Sequence, residues 1–171
     1  MPDQIERALR RLKAQLPRGV SLPGEDGYAA ATAIWAKQVG PMPRAVVHCR
    51  TTEDDQLAIR TARDCGLPLS VRGGGHHCAG LALCAGIVID LSGMNRVSVN
   101  ADHRSAIISG GARAADVAAV ADPLHVAAGL ALDNLLAAEV VLADGRVVVA
   151  DEANEAELFW RCVAAAETSA S

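Results

Sequence analysis

A chain of 171 residues can hold one domain with a real core but not two ordinary ones. Apolar residues make up 51% and charged residues 21%, the profile of a folded protein rather than a disordered one. A net charge of −4 and only four aromatics, Tyr28, Trp35, Phe159 and Trp160, supply neither the cationic footprint nor the stacking platforms of a nucleic-acid reader.

The first segment, Gln4 to Leu16, spaces Ile5, Leu9, Leu12 and Leu16 as a helix and stops at Pro17. Its basic residues Arg7, Arg10, Arg11 and Lys13 alternate with Asp3 and Glu6, so they read as a solvated face. Acidic and polar residues stand at the N-terminus where a secretory leader is apolar, and no apolar run is long enough to span a bilayer. A cytoplasmic, membrane-free protein is expected. Pro17 to Asp26 reads as a loop and Gly27 to Lys37 as a second short helix, ended by Gly40-Pro41.

From Pro43 the pattern turns α/β. Ala45 to His48 reads as a strand, and Thr51-Thr52 followed by Glu53, Asp54 and Asp55 as a capped helix start whose acids complement the helix dipole. That helix runs to Cys65 and stops at Gly66. Leu67 to Val71 is a second strand, which leads into Arg72-Gly73-Gly74-Gly75-His76-His77. Gly86 to Leu91, Arg96 to Val99 and Ser105 to Ser109 then read as three strands of an antiparallel meander. Ala112 to Ala121 reads as a helix. Ala137 to Leu142 and Arg146 to Ala150 flank Ala143-Asp144-Gly145, a hairpin turn in which Asp-Gly accepts positive φ. A last helix covers Glu155 to Ala166. The expected organisation is a helical lead-in over 1–42, one domain over 43–166 and a frayed tail over 167–171.

Three glycines directly after a strand leave backbone N–H groups unobstructed, and Arg72 adds positive charge; a phosphate or pyrophosphate fits such a loop, although an isolated triple glycine is as readily a plain turn. A Walker A loop would need Gly-Lys-Ser/Thr, whereas Gly80 is followed by Leu81. A dinucleotide fingerprint would open a helix, whereas Gly73 and Gly75 lead through two histidines towards a strand. His76 and His77 with Cys78 or Cys84 form a minor metal reading: neighbours in an extended loop point apart and no carboxylate is suitably spaced, so no metal is assigned. The five cysteines form no C-x-x-C pair and are odd in number, which indicates free thiols.

The ordered set Pro68-Leu69-Ser70-Val71-Arg72-Gly73-Gly74-Gly75-His76, Ala79-Gly80, Ile87 through Asn95 (IVIDLSGMN), Gly110-Gly111, Leu130 through Leu136 (LALDNLL) and Glu157-Leu158-Phe159-Trp160 resembles the flavin-binding core of berberine bridge enzyme-like oxidases. These belong to the vanillyl-alcohol oxidase, or p-cresol methylhydroxylase, type of FAD domain. The resemblance implies an α+β fold, a small βαβ lobe followed by a mainly antiparallel sheet lobe flanked by helices. It implies FAD as cofactor, with Arg72, Gly73, Gly74 and Gly75 in the loop that wraps the pyrophosphate and Gly80 as a further cofactor-binding residue. His76 matches the histidine commonly bonded to the 8α-methyl carbon of the isoalloxazine. His77 stands as a further loop contact or a plain surface histidine, and Val140 and Val141 match backbone contacts to adenine.

The implied activity is hydride transfer from a small-molecule C–H to flavin N5, with reoxidation by oxygen. Against the family pattern, a glycine-rich stretch is missing near residues 126–129 and the substrate domain is missing beyond Trp160. The second, cysteinyl flavin attachment is therefore assigned to none of the five cysteines. The ending reads as a truncation or a shifted frame, which leaves open a catalytically inactive FAD- or nucleotide-binding fragment. It also leaves open a homo-oligomer or a partner chain that completes the fold.

Overall fold

The computed structural model describes residues 2–34, 41–75, 80–102, 104–124 and 134–167. Its chain order is α1 (Pro2–Gln15), β1 (Val20–Ser21), α2 (Tyr28–Thr32), β2 (Ala45–His48), α3 (Thr52–Asp64), β3 (Leu69–Arg72), β4 (Ile87–Asp90), β5 (Val97–Val99), β6 (Ala106–Ile108), α4 (Ala114–Ala121), a 3-10 turn at Asp122–Leu124, β7 (Ala137–Val141), β8 (Val147–Asp151) and α5 (Ala156–Glu167). This is the α+β architecture expected: a βαβ lobe, then antiparallel pairs with helices beside them.

The first lobe is a four-stranded sheet in the order β1-β2-β4-β3, with β2, β4 and β3 mutually parallel and β1 antiparallel to β2. Strand alternation sends Ala45, Val47, Ile87 and Ile89 to one face, where they meet Leu9 and Leu12 of α1 and Ala58 and Ala62 of α3. Val46 and Val88 face the other way, against Tyr28 and Ala31 of α2. Tyr28 closes this smaller core by donating its buried hydroxyl to the Pro43 carbonyl at 2.6 Å.

Local signals explain why α3 sits where it does. The Thr51 side chain accepts from the Asp54 N–H while the Asp54 carboxylate accepts from the Thr51 N–H, the reciprocal cap that the sequence announced. Gly66, at φ +61°, ends the helix and turns the chain towards β3.

Two expectations are corrected. The segment Gly86 to Leu91 does not open an antiparallel meander: β4 is the central strand of the parallel sheet, and only β5 and β6 form the antiparallel pair. All four β4 residues are buried, which is the character of a strand covered on both faces. Within the stretch read as a loop, Val20–Ser21 pairs with β2 in the register Val20↔Val47 and Ser21↔Val46. The Asp-Gly hairpin stands as expected, with Gly145 at φ +83° between β7 and β8. Of the second helix only Tyr28–Thr32 is seen; Lys37 lies outside the described residues. Among the described residues no helix is long and apolar enough to cross a membrane.

Candidate FAD-binding site

β3 delivers the chain to the glycine loop at the carboxyl end of a parallel sheet, the edge at which open α/β sheets bind their ligands. Arg72 is the last residue of β3. Gly73, Gly74 and Gly75 follow as a bend, with Gly75 buried at φ +73° and Gly80 buried at φ +71° beyond it. A side chain on Gly75 would be strained by that φ and would lie 3.4 Å from Arg72 Nε and 3.6 Å from Ile34 Cγ2. Gly110 lies beside Gly73 of the loop, and Gly111 packs against Leu91 just after β4. A Cβ on Gly111 would fall 1.6 Å from the Leu91 carbonyl oxygen, and one on Gly73 would contact the Gly110 oxygen at 3.7 Å.

Beneath the loop Arg72 stands in a row of polar side chains with Asp90, His48 and Ser21, none of which the sequence assigns to the site. The parallel register places His48, Asp90 and Arg72 side by side at the ends of β2, β4 and β3. Arg72 Nη1 donates to Asp90 Oδ1 at 2.9 Å, and the Ser92 N–H donates to the same oxygen at 3.1 Å. His48 Nδ1 meets Asp90 Oδ2 at 3.1 Å, and His48 Nε2 meets Ser21 Oγ at 3.0 Å. Ser21 also donates to the Asp26 carbonyl at 3.0 Å, so the row begins on β1.

Asp90 is 3% exposed. Burial alone would push its carboxyl up, but the His48 bond, the Ser92 bonds and the Arg72 charge together pull it down to about 2. The charge of Arg72 is thus shared with Asp90 rather than free above the loop, and among the described residues its buried Nε has no hydrogen-bond partner. One signal for this row was present in the sequence: a carboxylate inside the apolar run Ile87-Val88-Ile89-Asp90 must find a partner when buried.

His76 and His77 lie outside the described residues, as does Cys78. Val140 and Val141 sit half-buried in β7, in a different sheet from β3. Among the described residues no group of three or more His, Cys, Asp or Glu side chains could hold a metal ion. Cys84 instead donates to the Pro68 and Ile87 carbonyls. Cys49 is fully buried, and burial first, then Asp55, pushes its thiol up, so it is not a thiolate ligand.

The donor set suits FAD: a glycine bend at sheet carboxyl ends, over a half-buried arginine. Comparison with known proteins agrees. The family described as FAD binding domain matches residues 43–132. The chain is 31% identical over 168 residues to (R)-6-hydroxynicotine oxidase of Paenarthrobacter nicotinovorans, covering 82% of this chain and 37% of that one. Glucooligosaccharide oxidase from Acremonium strictum, whose structure is described with a 6-S-cysteinyl, 8α-N1-histidyl FAD, superposes with a TM-score of 0.79 at 28% identity, over 90% of this chain and 38% of that one. A Physcomitrella patens berberine bridge enzyme-like protein shares the fold, with a TM-score of 0.78 at 22% identity over 91% of this chain and 40% of its own. The chain therefore spans about two-fifths of the length of the proteins it matches.

Proposed function

The chain belongs to the FAD binding domain family, and from that premise we propose that its Arg72–Gly75 bend holds the FAD pyrophosphate in an oxidoreductase of the berberine bridge enzyme-like type. The observation that carries this reading is the position of the bend: a side-chain-free backbone at the carboxyl ends of parallel strands, inside the residues that match the family. Gly73, Gly74 and Gly75 offer backbone donors to the phosphates, and Gly80 returns the chain through a second positive φ. His76, the next residue along, is the proposed attachment point for the 8α carbon of the flavin, as a histidyl link is described for the glucooligosaccharide oxidase. His77 adds a loop contact, and the backbone of Val140 and Val141 takes the adenine.

When bound, FAD supplies a two-electron acceptor that takes hydride from a substrate C–H and passes the electrons to oxygen. The chain's own residues bind and orient it. The matched relatives are named for a hydroxynicotine and an oligosaccharide, so the proposed substrate is a small organic molecule with an oxidisable C–H bond.

The test is an absorbance spectrum of the purified protein near roughly 370 and 450 nm, the flavin bands, before and after acid precipitation. Yellow colour that stays with the pellet, and that is lost in His76→Ala, supports covalent FAD at His76. Yellow colour released to the supernatant restricts the role of the loop to noncovalent binding. A protein that stays colourless after incubation with FAD overturns the proposal.

A further inference from the structure

We propose that Asp90 is the positioning residue of the FAD loop, acting through Arg72 and braced from behind by His48 and Ser21; this rests on the FAD reading of the loop. Among the described residues, Asp90 ties together the ends of all three parallel strands. Its Oδ1 takes Arg72 Nη1 from β3 and the Ser92 N–H from the turn after β4, and its Oδ2 takes His48 Nδ1 from β2. Ser21 extends the chain to β1 at the sheet edge. A buried carboxylate holding partners at both oxygens fixes the guanidinium in plane and in depth, because an arginine–carboxylate bond has a preferred direction that a lysine lacks.

The depth of Arg72 matters to the loop above it. Its Nε lies 3.4 Å and its Nη2 3.8 Å from where a Cβ of Gly75 would stand, so the guanidinium is the floor on which Gly75 turns. The backbone of the same residue joins the loop to the β4 turn, since the Leu91 N–H donates to the Arg72 carbonyl at 2.9 Å and Leu91 in turn packs under Gly110 and Gly111. Releasing Asp90 frees the floor, the β3 end and the β4 turn at once. The N–H groups of Gly73 to Gly75 then lose the alignment that a pyrophosphate needs, and preformed alignment is what makes backbone donors effective.

The proposal separates a positioning role from simple stability. In the full chain, Asp90→Asn and His48→Gln are compared with Leu12→Ala, a core variant on the other face of the sheet, by FAD titration and by the ¹H–¹⁵N amide resonances of Gly73, Gly74 and Gly75. Asp90→Asn is expected to shift all three amides and to weaken FAD binding by roughly tenfold or more, the scale of one lost charge-assisted bond. His48→Gln shifts them less. Leu12→Ala lowers the melting temperature but leaves both readings at wild-type values. Unchanged loop amides in Asp90→Asn, or equal changes in Leu12→Ala, overturn the proposal. If the wild-type chain takes up no FAD, the FAD reading of the loop fails, and the amide shifts still decide whether Asp90 sets its geometry.

Discussion

The parallel sheet and the two hairpins differ in how completely they are covered. Ala45, Val46, Val47, Ile87 and Val88 are all fully buried between α1, α3 and α2, whereas β5–β6 and β7–β8 leave Ile107 70%, Val149 55% and Val147 39% exposed. Trp160 of α5 is also 55% exposed although Phe159 beside it is buried. Side-chain bonds reach from α3 to the β7–β8 hairpin: Gln56 and Arg63 donate to the Gly145 and Asp144 carbonyls, and Thr52 donates to Glu139. Apolar burial holds the first region, while the second has polar tethers and an open apolar face. A two-stranded pair of this kind is marginal by itself.

Replacing the same residue type in the two regions breaks the comparison most sharply. Ile87→Ala, in the sheet, is expected to cost about 3 kcal/mol in urea unfolding, because a buried isoleucine leaves a cavity that the β-ladder cannot close. Acid should act next, and again on the sheet. The Asp90 carboxyl titrates at about 2 in the folded protein against its ordinary 3.8, so its stabilisation is complete above pH 4 and disappears as pH falls through 2. The loss is about 2 kcal/mol by linkage and should be missing from the unfolding-versus-pH curve of Asp90→Asn.

Gly145→Ala probes the tether. The φ of +83° disfavours any side chain, and a Cβ would stand 2.9 Å from Arg60 Nε, so about 1 kcal/mol is expected, with faster amide exchange confined to β7 and β8. Smallest of all is Ile107→Ala, expected within about 0.5 kcal/mol of wild type by the same urea assay. An Ile107→Ala cost equal to that of Ile87→Ala would mean that the hairpin face is covered in solution.

What the sequence disclosed divides along the same line. The α3 cap, the Asp-Gly turn and the glycine loop were legible because each is local: the residues that make the structure are neighbours in the chain. The row His48–Asp90–Arg72 was not, since its members are 42 and 18 residues apart and meet only through parallel register. Parallel pairing leaves no turn signature between partners, and so the sequence around β4 resembles one strand of a meander. The unbroken apolar run Ile87-Val88-Ile89 was the clue to a doubly covered strand, and the Asp that ends it was the clue to a buried partner. Ser21 carried no signal at all: a two-residue strand is too short to show a period.

β3 is an edge strand, bonded in the sheet on the β4 side only, and two of its four residues, Leu69 and Val71, are exposed. Peeling it away breaks one ladder, whereas moving β4 would break two. The glycine bend is therefore mounted on an edge strand, which opens at a lower cost than the central β4. A ligand held by the bend would suppress opening of this edge strand, so occupancy should register as slowed amide exchange along Leu69–Arg72.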